Sequence, residues 1–112
     1  MLPKIHRLNK RADFQLVFKK GTVLHGKFLS FFSLEGSGGL QKAGVIVSNK
    51  VSKKATERNR VRRILREALK ESLKNIQPGT MLVFLAKTQA CGVENNLLKK
   101  EALWLISRQV KK

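Results

Sequence analysis

Three features of this 112-residue sequence predict a small single-domain α+β sandwich. Segments with apolar residues at helical spacing are interleaved with short Phe- and Val-rich runs. One of those runs is apolar at every position, as a covered central strand requires. No Pro/Gly/Ser-rich linker divides the chain. The length allows one domain with one modest core, over residues 1–112, and 42% hydrophobic with 28% charged residues is a globular composition.

The first helix is expected over 11–19, where Phe14, Val17 and Phe18 fall at i, i+3 and i+4. Gly21 is placed to stop it, and Asn9 and Asp13 are both candidate caps. Residues 27–34 read as a strand bounded by Gly26 and the glycine-rich run 35–39, whose brevity points to a hairpin connection. Alternation sets Phe28, Ser30 and Phe32 on one face, and Leu29, Phe31 and Ser33 on the other. Residues 43–48 and 80–86 read as further strands, the second of them central, and an extra strand near Val23 fits the pattern. Between them lies the strongest helix, 56–76. Val61, Ile64, Leu65, Ala68, Leu69, Leu73 and Ile76 form its apolar stripe, Thr56 is a cap candidate, and Pro78-Gly79 closes the segment. A last helix over 94–110 carries Leu98, Ala102, Leu105 and Ile106 on one stripe, with Trp104 off its centre. Trp104 and Cys91 read as packing residues.

Charge narrows the function. Lys and Arg total 24 against 7 Asp and Glu, a net +17. Self-repulsion on that scale opposes compaction, so the natural partner is a polyanion: nucleic acid, an acidic protein or an anionic membrane. A membrane fits poorly, because no apolar stretch follows the charged start and the longest apolar run, 81–86, is far short of the ~20 residues of a spanning helix. The single cysteine, Cys91, cannot form an internal disulfide, and a reducing, cytoplasmic compartment is expected.

Residues 50–66 concentrate the cations. Lys50, Lys53, Lys54, Arg58, Arg60, Arg62, Arg63 and Arg66 stand against the single acid Glu57. Arg58, Arg62 and Arg66 fall at i, i+4 and i+8 and share a helix face, with Arg63 flanking it and the apolar stripe opposite. Like charges at that spacing destabilise a helix slightly, and cations near its start oppose the macrodipole, so an external anion is needed to offset both. Arginine dominates, and its planar fork grips phosphate bidentately or stacks on a base. Phe14 and Phe18 sit among Arg11, Lys19 and Lys20, which suits stacking of single-stranded RNA, although spacing alone favours a plain core role.

Here a resemblance becomes specific. Arg58-Asn59-Arg60, within Ala-Thr-Glu-Arg-Asn-Arg-Val-Arg-Arg-Ile-Leu-Arg-Glu (55–67), resembles the Arg-Asn-Arg signature of the bacterial ribonuclease P protein family. The segment 8–21, with Asp13-Phe14, three residues, then Phe18 and Gly21, is similar to the family's opening. Residues 43–48 fit the strand before its signature loop, and Pro78-Gly79 with 80–87 fits its last strand. The resemblance covers essentially the whole chain. It implies a sandwich of the kind seen in the second domain of ribosomal protein S5, with a left-handed βαβ crossover at the signature helix. It also implies a non-catalytic protein subunit that joins a large catalytic ribonuclease P RNA and binds precursor tRNA, removing the 5′ leader with Mg²⁺ held mainly by RNA.

By that resemblance Lys50, Lys53 and Lys54 bind the RNA subunit, and Arg58, Asn59, Arg60, Arg62, Arg63 and Arg66 lie against it or near its active site. Phe14 and Phe18, with Ser30 and Phe32 on the sheet side, line a cleft for the single-stranded leader. The family often has Lys-Lys at the end of the strand where this chain has Asn49-Lys50, so Lys53 or Lys54 would supply the second charge.

Other chemistry is not expected. His6, His25 and Cys91 lack metal-ligand spacing, and no triad, phosphate loop, paired carboxylates or small-molecule site stands out. A pure RNA-binding protein of the ribosomal kind would explain the charge but not the ordered motifs. A self-sufficient nuclease would need a carboxylate cluster.

Overall fold

The computed structural model describes residues 8, 11–35, 41–77 and 79–110. In chain order these form α1 (Arg11–Lys20), β1 (Thr22–His25), β2 (Leu29–Leu34), β3 (Lys42–Ile46), α2 (Ala55–Ser72), β4 (Met81–Ala86) and α3 (Asn95–Val110). Single 3₁₀ turns at Leu73–Asn75 and Thr88–Ala90 follow α2 and β4. The four-stranded sheet has the order β1-β2-β4-β3, with β3 parallel to β4 and the other pairs antiparallel. Segment β3-α2-β4 is therefore a βαβ unit between adjacent strands.

The two faces of the sheet are unequal. On one, Leu29, Phe31, Leu82 and Phe84 meet Val61, Ile64, Leu65 and Leu69 of α2 and Leu98, Ala102, Leu105 and Ile106 of α3. Each fully buried Leu or Phe contributes about 1.5–3 kcal/mol, so this layer carries most of the stability. On the other face the buried cluster among the described residues is Leu8, Val17 and Val83, with Phe14, Phe32 and Ile46 packed against it, and Val17 is the one buried residue of α1. Among the described residues Phe18 and Val23 stay exposed beside this thinner layer.

Several sequence expectations are corrected. The run 35–39 does not join hairpin neighbours: β4 lies between β2 and β3, because a strand apolar on both faces takes a covered central place. The hairpin is instead β1–β2, the extra strand near Val23. Strand β2 starts at Leu29 rather than 27, since the N–H groups of Lys27 and Phe28 donate to the Glu101 carboxylate at 2.7 and 2.8 Å. Thr56 does not cap α2. The helix begins at Ala55 with Lys54 as N-cap, and no side chain caps it there. Asp13 lies inside the first turn of α1 rather than at its cap, while Asn9 falls outside the described residues. Cys91 is exposed and Trp104 is half exposed, so neither is the packing residue expected.

Candidate nucleic-acid interface

The first surface is the cationic side of α2, whose buried stripe of Val61, Ile64, Leu65, Ala68 and Leu69 turns the arginines outward. Arg62, Arg63 and Arg66, with Asn59 and Glu67, line a hollow of about 410 Å³. The Arg62 guanidinium is held in place, donating to Asn59 Oδ1 at 2.9 Å and to the Val47 carbonyl at 3.2 Å. A pre-oriented fork loses little freedom on gripping phosphate. Arg58 does not continue this line. It donates to the Ser52 carbonyl at 2.9 Å and borders a second hollow with Asn49, Lys50 and Lys53. Lys50, Lys53 and Lys54 are all exposed in the loop that enters α2. The expected ridge is thus two adjoining basic patches.

Arg60 has a different place. It pairs bidentately with Glu57, at 2.8 and 2.7 Å, and donates to Asn95 Oδ1 at the start of α3. The second Glu57 oxygen also accepts the Gly92 N–H at 2.8 Å; Gly92 has φ +77°, a conformation glycine adopts without strain. Glu57 therefore clamps the start of α2 to the loop leading into α3.

The Arg60 hydrogen bond, then the Gly92 N–H, hold the Glu57 carboxyl at about 2, below its ordinary 4.5. A depressed carboxylate pKa gives stability that is present above the ordinary value and lost as pH falls through the folded one. With both side chains about one-fifth exposed, solvent screening discounts the full conversion. Glu57→Gln is expected to cost about 1–2 kcal/mol at neutral pH. In urea titrations the gap between the two proteins should close between pH 4.5 and 2. A gap that persists unchanged at the lowest pH would show that the clamp is not electrostatic.

The second surface is the cleft beside α1. Register places Val23, Phe32, Val83 and Gly44 in one row across the sheet, and His25, Ser30, Leu85 and Ile46 in the next, all on the α1 face. Helix α1 crosses the first row. The Phe14 ring lies on Gly44, where an added Cβ would sit 2.5 Å from it. Val17 is fully buried in the cluster with Val83. Phe18 meets Phe32 edge-to-face, centroids 4.7 Å apart, and stays 38% exposed.

Phe14 is thus chiefly a packing residue, whereas Phe18 presents an open ring beside exposed Arg11, Lys19 and Lys20. Ser30 is buried, with His25 Nδ1 3.0 Å from its hydroxyl. The strand face left undecided by sequence is therefore the one bearing Ser30, Phe32 and Leu34. Val23, His25 and Leu85 also line this face. Sequence reading missed them because their position follows from pairing register, which no local pattern reveals.

A basic α+β sandwich with an arginine-lined crossover helix on one side and an aromatic cleft on the other defines a nucleic-acid-binding protein. Among the described residues no cluster of His, Cys, Asp or Glu is arranged to hold a metal ion. The family model for Ribonuclease P matches residues 2–110, and the chain belongs to that family of ribonuclease P protein components. The component from Picosynechococcus sp. is 36% identical over 111 residues, covering 97% of this chain and 95% of its own. That from Microcystis aeruginosa is 48% identical over 58 residues, 48% of each chain. The solved RNase P protein from Thermotoga maritima superposes with a TM-score of 0.79 at 26% identity, covering 91% of this chain and 96% of that one.

Proposed function

We propose that this chain binds the catalytic RNA of ribonuclease P through α2 and its entry loop. The 5′ leader of precursor tRNA binds in the α1 cleft, and the protein thereby assists endonucleolytic removal of the leader. The observation that carries this reading is the pair of surfaces on opposite faces of one sheet: a protein so built can touch two RNAs at once. Lys50, Lys53, Lys54, Arg58, Asn59, Arg62, Arg63 and Arg66 contact the RNA subunit. Arg60 acts mainly by fixing the start of α2 through Glu57. Phe18 stacks on a leader base, each such contact contributing about 1–3 kcal/mol. Phe32 buttresses it, Ser30 with His25 forms the polar part of the floor, and Phe14 supports α1 from beneath.

The protein acts by position and charge. It screens repulsion between two RNAs and lowers the freedom of the leader before cleavage. Mg²⁺, bound mainly by the RNA subunit, would supply the activated water and stabilise charge on the reacting oxygens. A cytoplasmic site of action fits this role, and none of the described helices is long and apolar enough to cross a membrane.

The test is reconstitution. Added to ribonuclease P RNA at low Mg²⁺, the protein should restore cleavage of precursor tRNA; no stimulation would refute the reading. Within the complex, Phe18→Ala should weaken binding of precursor tRNA by about tenfold, and mature tRNA hardly at all, because only the precursor has a leader to stack. Equal losses for both substrates would make Phe18 a packing residue like Phe14.

A further inference from the structure

The outer face of α3 is unexplained by either surface. Leu97 is 53% exposed and Trp104, two turns on, is 50% exposed. Both belong to a concavity of about 260 Å³ completed by Lys100 and Glu101. Two large exposed hydrophobics on one helix face are unfavourable in water and mark contact surfaces. The surroundings are cationic: the Arg108 guanidinium lies 5.2 Å from the Trp104 ring centroid, and Lys100 is one turn back. Glu101, the acid among them, directs both oxygens onto the N–H groups of Lys27 and Phe28, which ties the β1–β2 turn and its exposed Lys27 beside the patch.

We propose that this face is a second RNA contact, in which a base of a single-stranded segment stacks on Trp104 while Arg108, Lys100 and Lys27 meet its phosphates. Charge selects the occupant. A second copy of this chain would bring +17 against cations, whereas a polyanion relieves the repulsion. An indole needs a flat partner, which nucleobases provide and acidic peptides largely do not. Helix α3 packs on the sheet face opposite α1, so this segment is distinct from any strand held in the cleft. The site requires neither the cleft nor the α2 surface to function as proposed above.

Trp104 is the only tryptophan of the chain, so its emission reports on this site alone. Titrating the full chain with hexa-adenylate at low salt should give a saturable loss of emission that survives Phe18→Ala, which empties the cleft of its exposed ring. In a background combining Phe18→Ala with alanine at Arg62, Arg63 and Arg66, which removes the main contacts of both other surfaces, Trp104→Ala should weaken binding of a labelled hexa-adenylate by about tenfold, and Arg108→Gln by less. Trp104 is half exposed and Arg108 exposed, so both variants should fold, and the native quench needs no variant at all. Three results would overturn the proposal. The first is an emission unchanged by saturating hexa-adenylate. The second is an equal quench by polyglutamate, which would show that the face senses charge alone. Self-association abolished by Trp104→Ala, seen in sedimentation without RNA, would make it an interface between copies.

Discussion

Alanine at Arg62, Arg63 and Arg66 together is expected to weaken binding of ribonuclease P RNA by about two to three orders of magnitude near 0.1 M salt, from the loss of three charge-assisted phosphate contacts. The salt dependence is the sharper readout. With about four to six phosphates engaged, the native log K should fall with log salt at a slope of roughly −3 to −5, and the variant slope should be shallower by about 2–3. These three are chosen over the i, i+4, i+8 set because they share one hollow, while Arg58 turns to the Ser52 carbonyl. The buried stripe of α2 faces the other way, so circular dichroism should show the fold intact. An unchanged slope in a folded variant would place the RNA contact elsewhere.

What could be read in advance follows physical lines. Helix α2 was legible because its stripe repeats over about four turns, and α3 because Leu98, Ala102, Leu105 and Ile106 keep the same spacing over a shorter span. Strand β4 announced its central place by lacking a polar face. The sheet order was not legible: a glycine-rich connection after β2 looks the same whether the next strand pairs beside it or beyond another. The site divided in the same way. The cations of α2 were countable, but the withdrawal of Arg60 into the Glu57 clamp depends on Gly92 and Asn95, which lie 35 residues away along the chain. Phe14 and Phe18 are equivalent in spacing. Only the placement of Gly44 under one and solvent beside the other separates them.

Omitting the RNA subunit is expected to abolish cleavage altogether, an effect of many orders of magnitude, because the proposed function assigns the chemistry to the RNA. In-line hydrolysis of a phosphodiester needs an activated water and stabilisation of two oxygens, commonly supplied by two metal ions held among clustered oxygens. Three carboxylates of this chain are engaged otherwise, and the other four lie apart on different elements. Glu57 holds Arg60 and Gly92, Glu101 holds the β1–β2 turn, and Glu71 pairs with Lys99. Asp13 lies on α1, Glu35 follows β2, Glu67 borders the arginine hollow and Glu94 precedes α3. Changing each of the 7 acids singly to its amide should therefore leave the single-turnover cleavage rate of the reconstituted complex within about threefold at saturating protein, since no essential metal ligand is removed. Concentrated Mg²⁺ should partly replace the protein in the reaction of the RNA alone, because counterions screen the same phosphates that the arginines neutralise. A fall of several orders of magnitude in the chemical step for one amide variant, with binding intact, would move catalysis onto the protein.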